Sequence, residues 1–194
     1  MTKIQKRFDS IILAAGMSTR MGKWKLVMPF HDSTIIETAV SNTLKVCRRV
    51  ILVGGYKFIE LKNLFDANNN VRIVENKEYR KGMFSSIKTA VPLVETDRFF
   101  ISLGDMPMIN PEVYNYLQQF SEPDVVIPQY RGKKGHPVFL SSMVGKRILQ
   151  FGDNSTMREV LCEFLNLLVP VDDENILHDI DTEADYKTFL KKLE

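Results

Sequence analysis

Cysteine is scarce in this chain. Cys47 and Cys162 lie far apart with no CxxC spacing, which excludes a disulfide framework and a zinc site of the usual kind. Reduced thiols and a cytoplasmic location are the expectation. Charge of one sign is scarce too: 26 Lys and Arg against 24 Asp and Glu leave a net charge of +2, too weak a field to imply nucleic acid. The basic residues are dispersed, and no aromatic stripe is interleaved with them. No apolar run reaches membrane-spanning length, and Lys3, Lys6 and Arg7 precede no signal-peptide cleavage pattern, so no membrane association is expected. Repeats, low-complexity tracts and linkers are missing, and Asn68-Asn69-Asn70 reads as a turn. His31, His136 and His178 lack metal-ligand spacing. Nothing resembles an activated nucleophile with Ser, His and Asp roles.

What the chain does have is enough apolar residue for one well-buried core: 194 residues, 44% hydrophobic and 26% charged, read as a single domain over 1–194. Strand-like apolar runs recur at Ser10 to Ala15, Val50 to Val53, Val71 to Val74, Phe99 to Leu103, Val125 to Ile127, Val138 to Leu140 and Leu167 to Val171. Helical patterns alternate with most of them. One begins at Thr34, where Thr34 and Glu37 form a capping box, and others cover Phe58 to Phe65, Phe84 to Val91 and Pro111 to Phe120. A last helix starts at Thr182 with Asp185 three residues on. The alternation predicts an α/β fold with a largely parallel sheet covered by helices on both faces. Between Val125 and Leu140 there is no room for a helix, so a hairpin there makes the sheet mixed.

The most informative stretch runs from Ile11 to Lys25: an apolar strand breaks into Ala14-Ala15-Gly16 and then into Arg20, Lys23 and Lys25. Backbone amides freed at such a turn donate to phosphate oxygens, and the cations add positive charge. It is not a Walker loop, because five residues separate Gly16 from Gly22 and Trp24 follows Lys23. Nor is it a dinucleotide fingerprint, since neither glycine has a partner two residues on. A strand followed by a solvated basic loop has the same local appearance, so other segments must distinguish the two.

Asp105 follows the apolar run Phe99 to Leu103 and Gly104, and precedes a turn restricted by Pro107. A carboxylate so placed suits Mg²⁺, which takes one or two protein carboxylates plus phosphate oxygens; a turn or capping role is the alternative. Asp179 and Asp181 point the same way if their segment is extended, which offers a second ligand, Asp181 being favoured slightly. Dressing the start of the last helix is their plainer role. Ser85 and Ser86, after Gly82, open a helix near where a base or ribose edge could lie. His136, after the basic loop that contains Lys134, suits either an acceptor phosphate or a structural turn. Cys47 fits a helix core face, and Trp24 packs beside the first loop. These ingredients suit direct phosphoryl or nucleotidyl transfer.

Four motifs occur in the order found in MobA-like nucleotidyltransferases: Leu13-Ala14-Ala15-Gly16 through Arg20-Met21-Gly22 and Lys25, Gly104-Asp105-Met106-Pro107, Gly135-His136-Pro137-Val138, and Asp179-Ile180-Asp181-Thr182. The chain resembles most the molybdenum cofactor cytidylyltransferases, over nearly its whole length. The resemblance implies a three-layer α/β/α Rossmann-like nucleotidyltransferase fold. It also implies Mg²⁺-dependent transfer of CMP from CTP to the phosphate of molybdopterin, with release of pyrophosphate. By position, Leu13, Ala14, Ala15 and Gly16 with Ser85 and Ser86 would bind the nucleotide. Arg20 and Lys25 would grip its phosphates, Asp105 with Asp181 or Asp179 would hold the metal, and His136 and Lys134 would face the acceptor. Ala15 in place of a second glycine leans toward the cytidine branch. The chain departs from the family pattern at Trp24-Lys25-Leu26-Val27, where Pro-Lys-Leu-Leu is common, and at Gly152-Asp153-Asn154-Ser155-Thr156, where a Gly-Asp-Lys-Gly-type loop is usual. The second change falls on the acceptor side. A sugar, alcohol or choline phosphate is therefore the competing acceptor. A non-catalytic carrier that delivers cofactor to a molybdoenzyme partner is the competing class, and retention of Lys25, Asp105 and Asp181 together argues against it.

Overall fold

The apolar run after Phe8 becomes the central strand of the sheet in the computed structural model, which describes residues 7–191. Strand β1 (Asp9–Ala14) lies parallel to β4 (Arg49–Gly54) on one side and to β6 (Arg98–Leu103) on the other, with Ile11 beside both Ile51 and Ile101. A small hairpin of β2 (Pro29–Phe30) and β3 (Ser33–Thr34) stands apart from the sheet. Beyond β4 lies parallel β5 (Val71–Glu75). Beyond β6 the direction reverses: β9 (Val138–Ser141) runs antiparallel to β6 and to β7 (Val125–Tyr130), which carries β8 (Lys133–Lys134) as a hairpin and β10 (Asn166–Pro170) in parallel at the edge. The order β10-β7-β9-β6-β1-β4-β5 is thus a mostly parallel mixed sheet, as the alternation and the short 125–140 segment imply.

Strand residues alternate between two apolar layers, because successive side chains leave a strand on opposite faces. Ile11, Ile51, Val53, Phe99 and Ile101 face α3 (Met83–Ala90), α5 (Ser142–Gln150) and α6 (Met157–Leu161) through Phe84, Ile87, Val144, Ile148 and Val160. Ile12, Val50, Leu52 and Phe100 face α1 (Ile35–Leu44), α2 (Phe58–Phe65), α4 (Pro111–Leu117) and α7 (Glu183–Lys191). With side chains such as Ile11, Ile12, Phe99 and Phe100 at 0–1% exposure, each contributes about 1.5–3 kcal/mol of burial, and a register slip would exchange the two layers.

Helix starts follow their caps. Thr34 Oγ1 accepts from Glu37 N at 3.3 Å while Glu37 accepts from Thr34 N at 3.2 Å, the reciprocal box expected at α1. Asn110 accepts from Glu112 N at 2.9 Å with Pro111 in the first turn of α4, which ends at Leu117 instead of Phe120. At α7, Asp185 accepts from Thr182 N at 2.7 Å. Helices α5 and α6 fall outside the helical patterns of the sequence. In α5 Val144, Gly145 and Ile148 turn inward, and the glycine in the middle of that stripe disfavours a helix by local rules. Strand β1 also begins one residue earlier than its apolar run, on a fully buried carboxylate: Asp9 accepts from Arg48 Nε at 2.9 Å, Arg49 Nη2 at 2.8 Å and Glu95 N at 2.9 Å. No helix among the described residues is long and apolar enough to cross a membrane.

Candidate active site

The carboxyl ends of β1, β4 and β6 are laced together by backbone bonds. Gly104 N donates to Leu13 O at 2.9 Å, Tyr56 N to Ala15 O at 3.2 Å and Asn76 N to Gly54 O at 2.8 Å. Glycine is required where those segments touch: a Cβ on Gly104 would lie 2.7 Å from Ile36 Cδ1 and 3.1 Å from Leu13 O, and one on Gly55 would lie 2.5 Å from Tyr79 Cβ. Ligands in open α/β sheets gather beyond such strand ends.

Past β1 the chain loops out through a left-handed Ser18 (φ 55) and a tight turn over Thr19–Met21 to a left-handed Gly22 (φ 64). It returns to a second turn at Lys25–Val27, where Lys25 N donates to Ser18 Oγ at 3.2 Å and closes the loop. Trp24 packs into the core beside it, with Lys57 Nζ 5.6 Å from its ring. Lys25 is itself buried, and its Nζ lies 2.7 Å from Asp105 Oδ2 and 2.8 Å from Asp181 Oδ1. Arg20 reaches from the exposed loop to Asp181 Oδ2 at 2.6 Å.

The third segment is fixed by Ile180, which is fully buried and whose N–H donates to Asp105 O at 3.0 Å. Ile180 turns into the core, so its neighbours Asp179 and Asp181 turn together toward Asp105, as an extended segment requires. Asp105, Asp179 and Asp181 each offer an oxygen, and these oxygens lie within 4.8 Å of one another. Hard carboxylate oxygens at that spacing fit a divalent cation such as Mg²⁺.

The charges are divided unevenly. Burial, reinforced by the Asp181 and Asp105 carboxylates, pushes Asp179 above the ordinary carboxylate range. Burial pulls Asp181 the same way, but the hydrogen bond and charge of Lys25 and the charge of Arg20 outweigh it and hold Asp181 low. Lys25 is raised: burial opposes its charge, and the two aspartates more than compensate. Three carboxylates face two side-chain cations, Lys25 and Arg20, so a further cation is needed to balance the third carboxylate.

A cleft of 450 Å³ opens above the cluster. Of the residues singled out from the sequence, Leu13, Ala15, Gly16, Arg20, Lys25, Ser86, Asp105, Asp179 and Asp181 all line it. Ala14 sits in the core beneath it. Ser85 lies outside the wall, its hydroxyl turned back to Gly82 O at 2.8 Å. Lys134 stands exposed on β8, and His136 lies outside the lining with its backbone N–H donating to Ile176 O at 2.9 Å. Burial pushes His136 down despite its bond to the Ile101 backbone and the charge of Asp105, which favours a neutral imidazole. The far wall holds Tyr79, Arg80 and Met83, none of which the motifs indicate. Its one sequence signal is Gly82, which turns with φ 100 and ψ −177, a conformation for glycine only.

Residues 10–166 match the model of the MobA-like NTP transferase domain. The chain belongs to the MobA-like NTP transferase family. As a member it is a nucleotidyltransferase, and its sheet is the family's Rossmann-like one. Among its relatives is a molybdenum cofactor cytidylyltransferase of Escherichia coli strain K12, 34% identical over 180 residues, covering 93% of this chain and 94% of that one. A probable molybdenum cofactor guanylyltransferase of Carboxydothermus hydrogenoformans is 24% identical, over 93% of each chain. A nucleotidyl transferase structure from Methanothermobacter superposes with a TM-score of 0.82 at 21% identity, covering 97% of this chain and all of the other.

Proposed function

We propose that this single domain catalyses transfer of CMP from CTP to the phosphate of molybdopterin, with Mg²⁺ as cofactor and pyrophosphate as the second product, in the cytoplasm. The observation that carries the reading is the convergence of Lys25, Asp105, Asp179 and Asp181 on one cleft beside the loop from Ala15 to Arg20. The cytidylyltransferase at 34% identity, with Ala15 in the first loop, favours CTP over GTP.

In this mechanism an oxygen of the acceptor phosphate attacks the α-phosphorus of CTP, and the bond from that phosphorus to the β-phosphate bridging oxygen breaks. The loop from Ala15 to Arg20 receives the triphosphate through its backbone amides. Lys25 and Arg20 offset the charge that develops on the leaving pyrophosphate, and both are held in place by Asp181 before substrate arrives. Asp105, Asp179 and Asp181 would hold the Mg²⁺, which supplies a Lewis acid for the phosphate oxygens. Ser86 faces the nucleoside from the far wall, while Lys134 on β8 and His136 just before β9 stand outside the cleft lining and take no part in the transfer step.

The test is pyrophosphate release with CTP, GTP, UTP and ATP against molybdopterin and a panel of sugar, alcohol and choline phosphates. Turnover with CTP and molybdopterin is expected. Preference for GTP overturns the reading of Ala15, turnover only with another acceptor overturns the molybdopterin assignment, and tight cofactor binding without turnover indicates a carrier serving a molybdoenzyme.

A further inference from the structure

We infer that Asn76 is a positioning residue that commits the pocket serine, Ser86, to act as a hydrogen-bond donor, so that the cleft reads the carbonyl acceptor shared by cytosine and uracil. The inference rests on the nucleotide reading above and deepens it.

Asn76 directly follows β5 and is 3% exposed. Its Oδ1 accepts from Glu78 N at 2.9 Å. That bond decides the orientation of the amide, since only oxygen can accept from a backbone N–H. The Nδ2 group therefore faces α3, where its two hydrogens go to Ser85 Oγ at 2.8 Å and Ser86 Oγ at 2.9 Å. A single buried side chain thus ties together the end of β5, the turn after it and the first turn of α3.

The two serines are left in different states. Ser85 donates its own hydrogen to Gly82 O at 2.8 Å and is complete. Ser86 accepts from Asn76, lines the cleft, and its hydrogen has no acceptor among the described residues. A buried hydroxyl that already accepts a bond completes itself by donating, and the open direction is the cleft. Pyrimidine bases carry the O2 carbonyl that such a donor needs.

Asn76→Asp tests this with little change of shape. One carboxylate oxygen still accepts from Glu78 N, while the other becomes an acceptor and draws the Ser86 hydrogen away from the cleft. Calorimetric titration with CTP, UTP, 2′-deoxy-CTP and inorganic tripolyphosphate, each with Mg²⁺, needs no acceptor substrate. Asn76→Asp and Ser86→Ala are each expected to weaken CTP and UTP by about ten-fold. The pair together should lose no more than one alone, and tripolyphosphate binding should stay unchanged. A structural role alone would lower melting temperature and weaken all four ligands together, which overturns the inference. Unchanged CTP affinity in both variants also overturns it, as does a loss confined to the ratio of CTP to 2′-deoxy-CTP, which would make Ser86 a ribose contact. Should Asn76→Asp not fold, Asn76→Ala removes the same donor and carries the same expectation. Absence of nucleotide binding by the unaltered chain would defeat the proposed function itself; binding by that chain with no difference in the variants defeats only the role of Asn76.

Discussion

Asp9 offers a perturbation whose size follows from the structure and whose effect should stay away from the cleft. It stands at the amino end of β1, opposite the site, with its carboxylate fully buried and accepting from Arg48 Nε, Arg49 Nη2 and Glu95 N. Asn in its place keeps one acceptor and turns the other into a donor that meets a guanidinium or an N–H. Removing one member of a buried ion pair costs about 3–5 kcal/mol. Arg48 is 39% exposed, so water relieves part of that loss and the expected cost of Asp9→Asn is about 3 kcal/mol. For a chain of this length that corresponds to a fall in melting temperature of roughly 6–12 °C. Glu95 joins the same arginines but is 54% exposed, so Glu95→Gln should cost far less than Asp9→Asn. The assay is urea unfolding of both variants alongside kcat, which should not change. A loss below about 1 kcal/mol for Asp9→Asn, or one no larger than that for Glu95→Gln, would refute the reasoning.

Tyr114 donates to Ser102 Oγ at 3.0 Å and contacts Thr43 Oγ1 at 3.1 Å, all within the core, so Tyr114→Phe should cost about 1–3 kcal/mol by urea unfolding. Burial, only partly opposed by those hydroxyls, pushes the phenol from 10.0 up to about 12. The folded value lies above the unfolded one, so the neutral phenol's contribution is intact below pH 10 and is lost as pH rises through 12, about 3 kcal/mol in all. Tyr114→Phe should lack that alkaline loss in a pH series. Gly55→Ala would drive a Cβ against Tyr79 Cβ and Ala15 Cβ, and should raise the KM for nucleotide while costing about 1–3 kcal/mol of stability; an unchanged KM contradicts the packing described at the strand ends.

The parts of the fold that were legible are those where a local rule and the tertiary packing agree. The capping box at Thr34 and Glu37 marks α1 because both partners are local, and β1 stands out because both of its faces are buried. The shared direction of Asp179 and Asp181 follows from the two-residue period of extended chain. The rest depended on contacts no local pattern encodes. Lys25 meets Asp181 across 156 residues, and nothing near either one announces it. Helix α5 carries Gly145 in its inward stripe and α6 spans only Met157–Leu161, so neither announces itself locally. Ser85 and Ser86 are alike in sequence, and only the bonds of Asn76 and Gly82 show that one faces the cleft and the other the backbone. Lys134 shares a motif neighbourhood with His136, but its hairpin with β7 carries it away from the cleft wall.

The central claim is that Asp105, held against Lys25 beneath the first loop, forms part of a metal-dependent nucleotidyl transfer site. The direct measurement is the rate of pyrophosphate release from CTP with molybdopterin and Mg²⁺, for the unaltered chain and for Asp105→Ala, with circular dichroism confirming that both are folded. The account predicts Mg²⁺-dependent release by the unaltered chain and loss of at least about 10²-fold in the variant at an unchanged fold. Substantial turnover by a folded Asp105→Ala variant would contradict it.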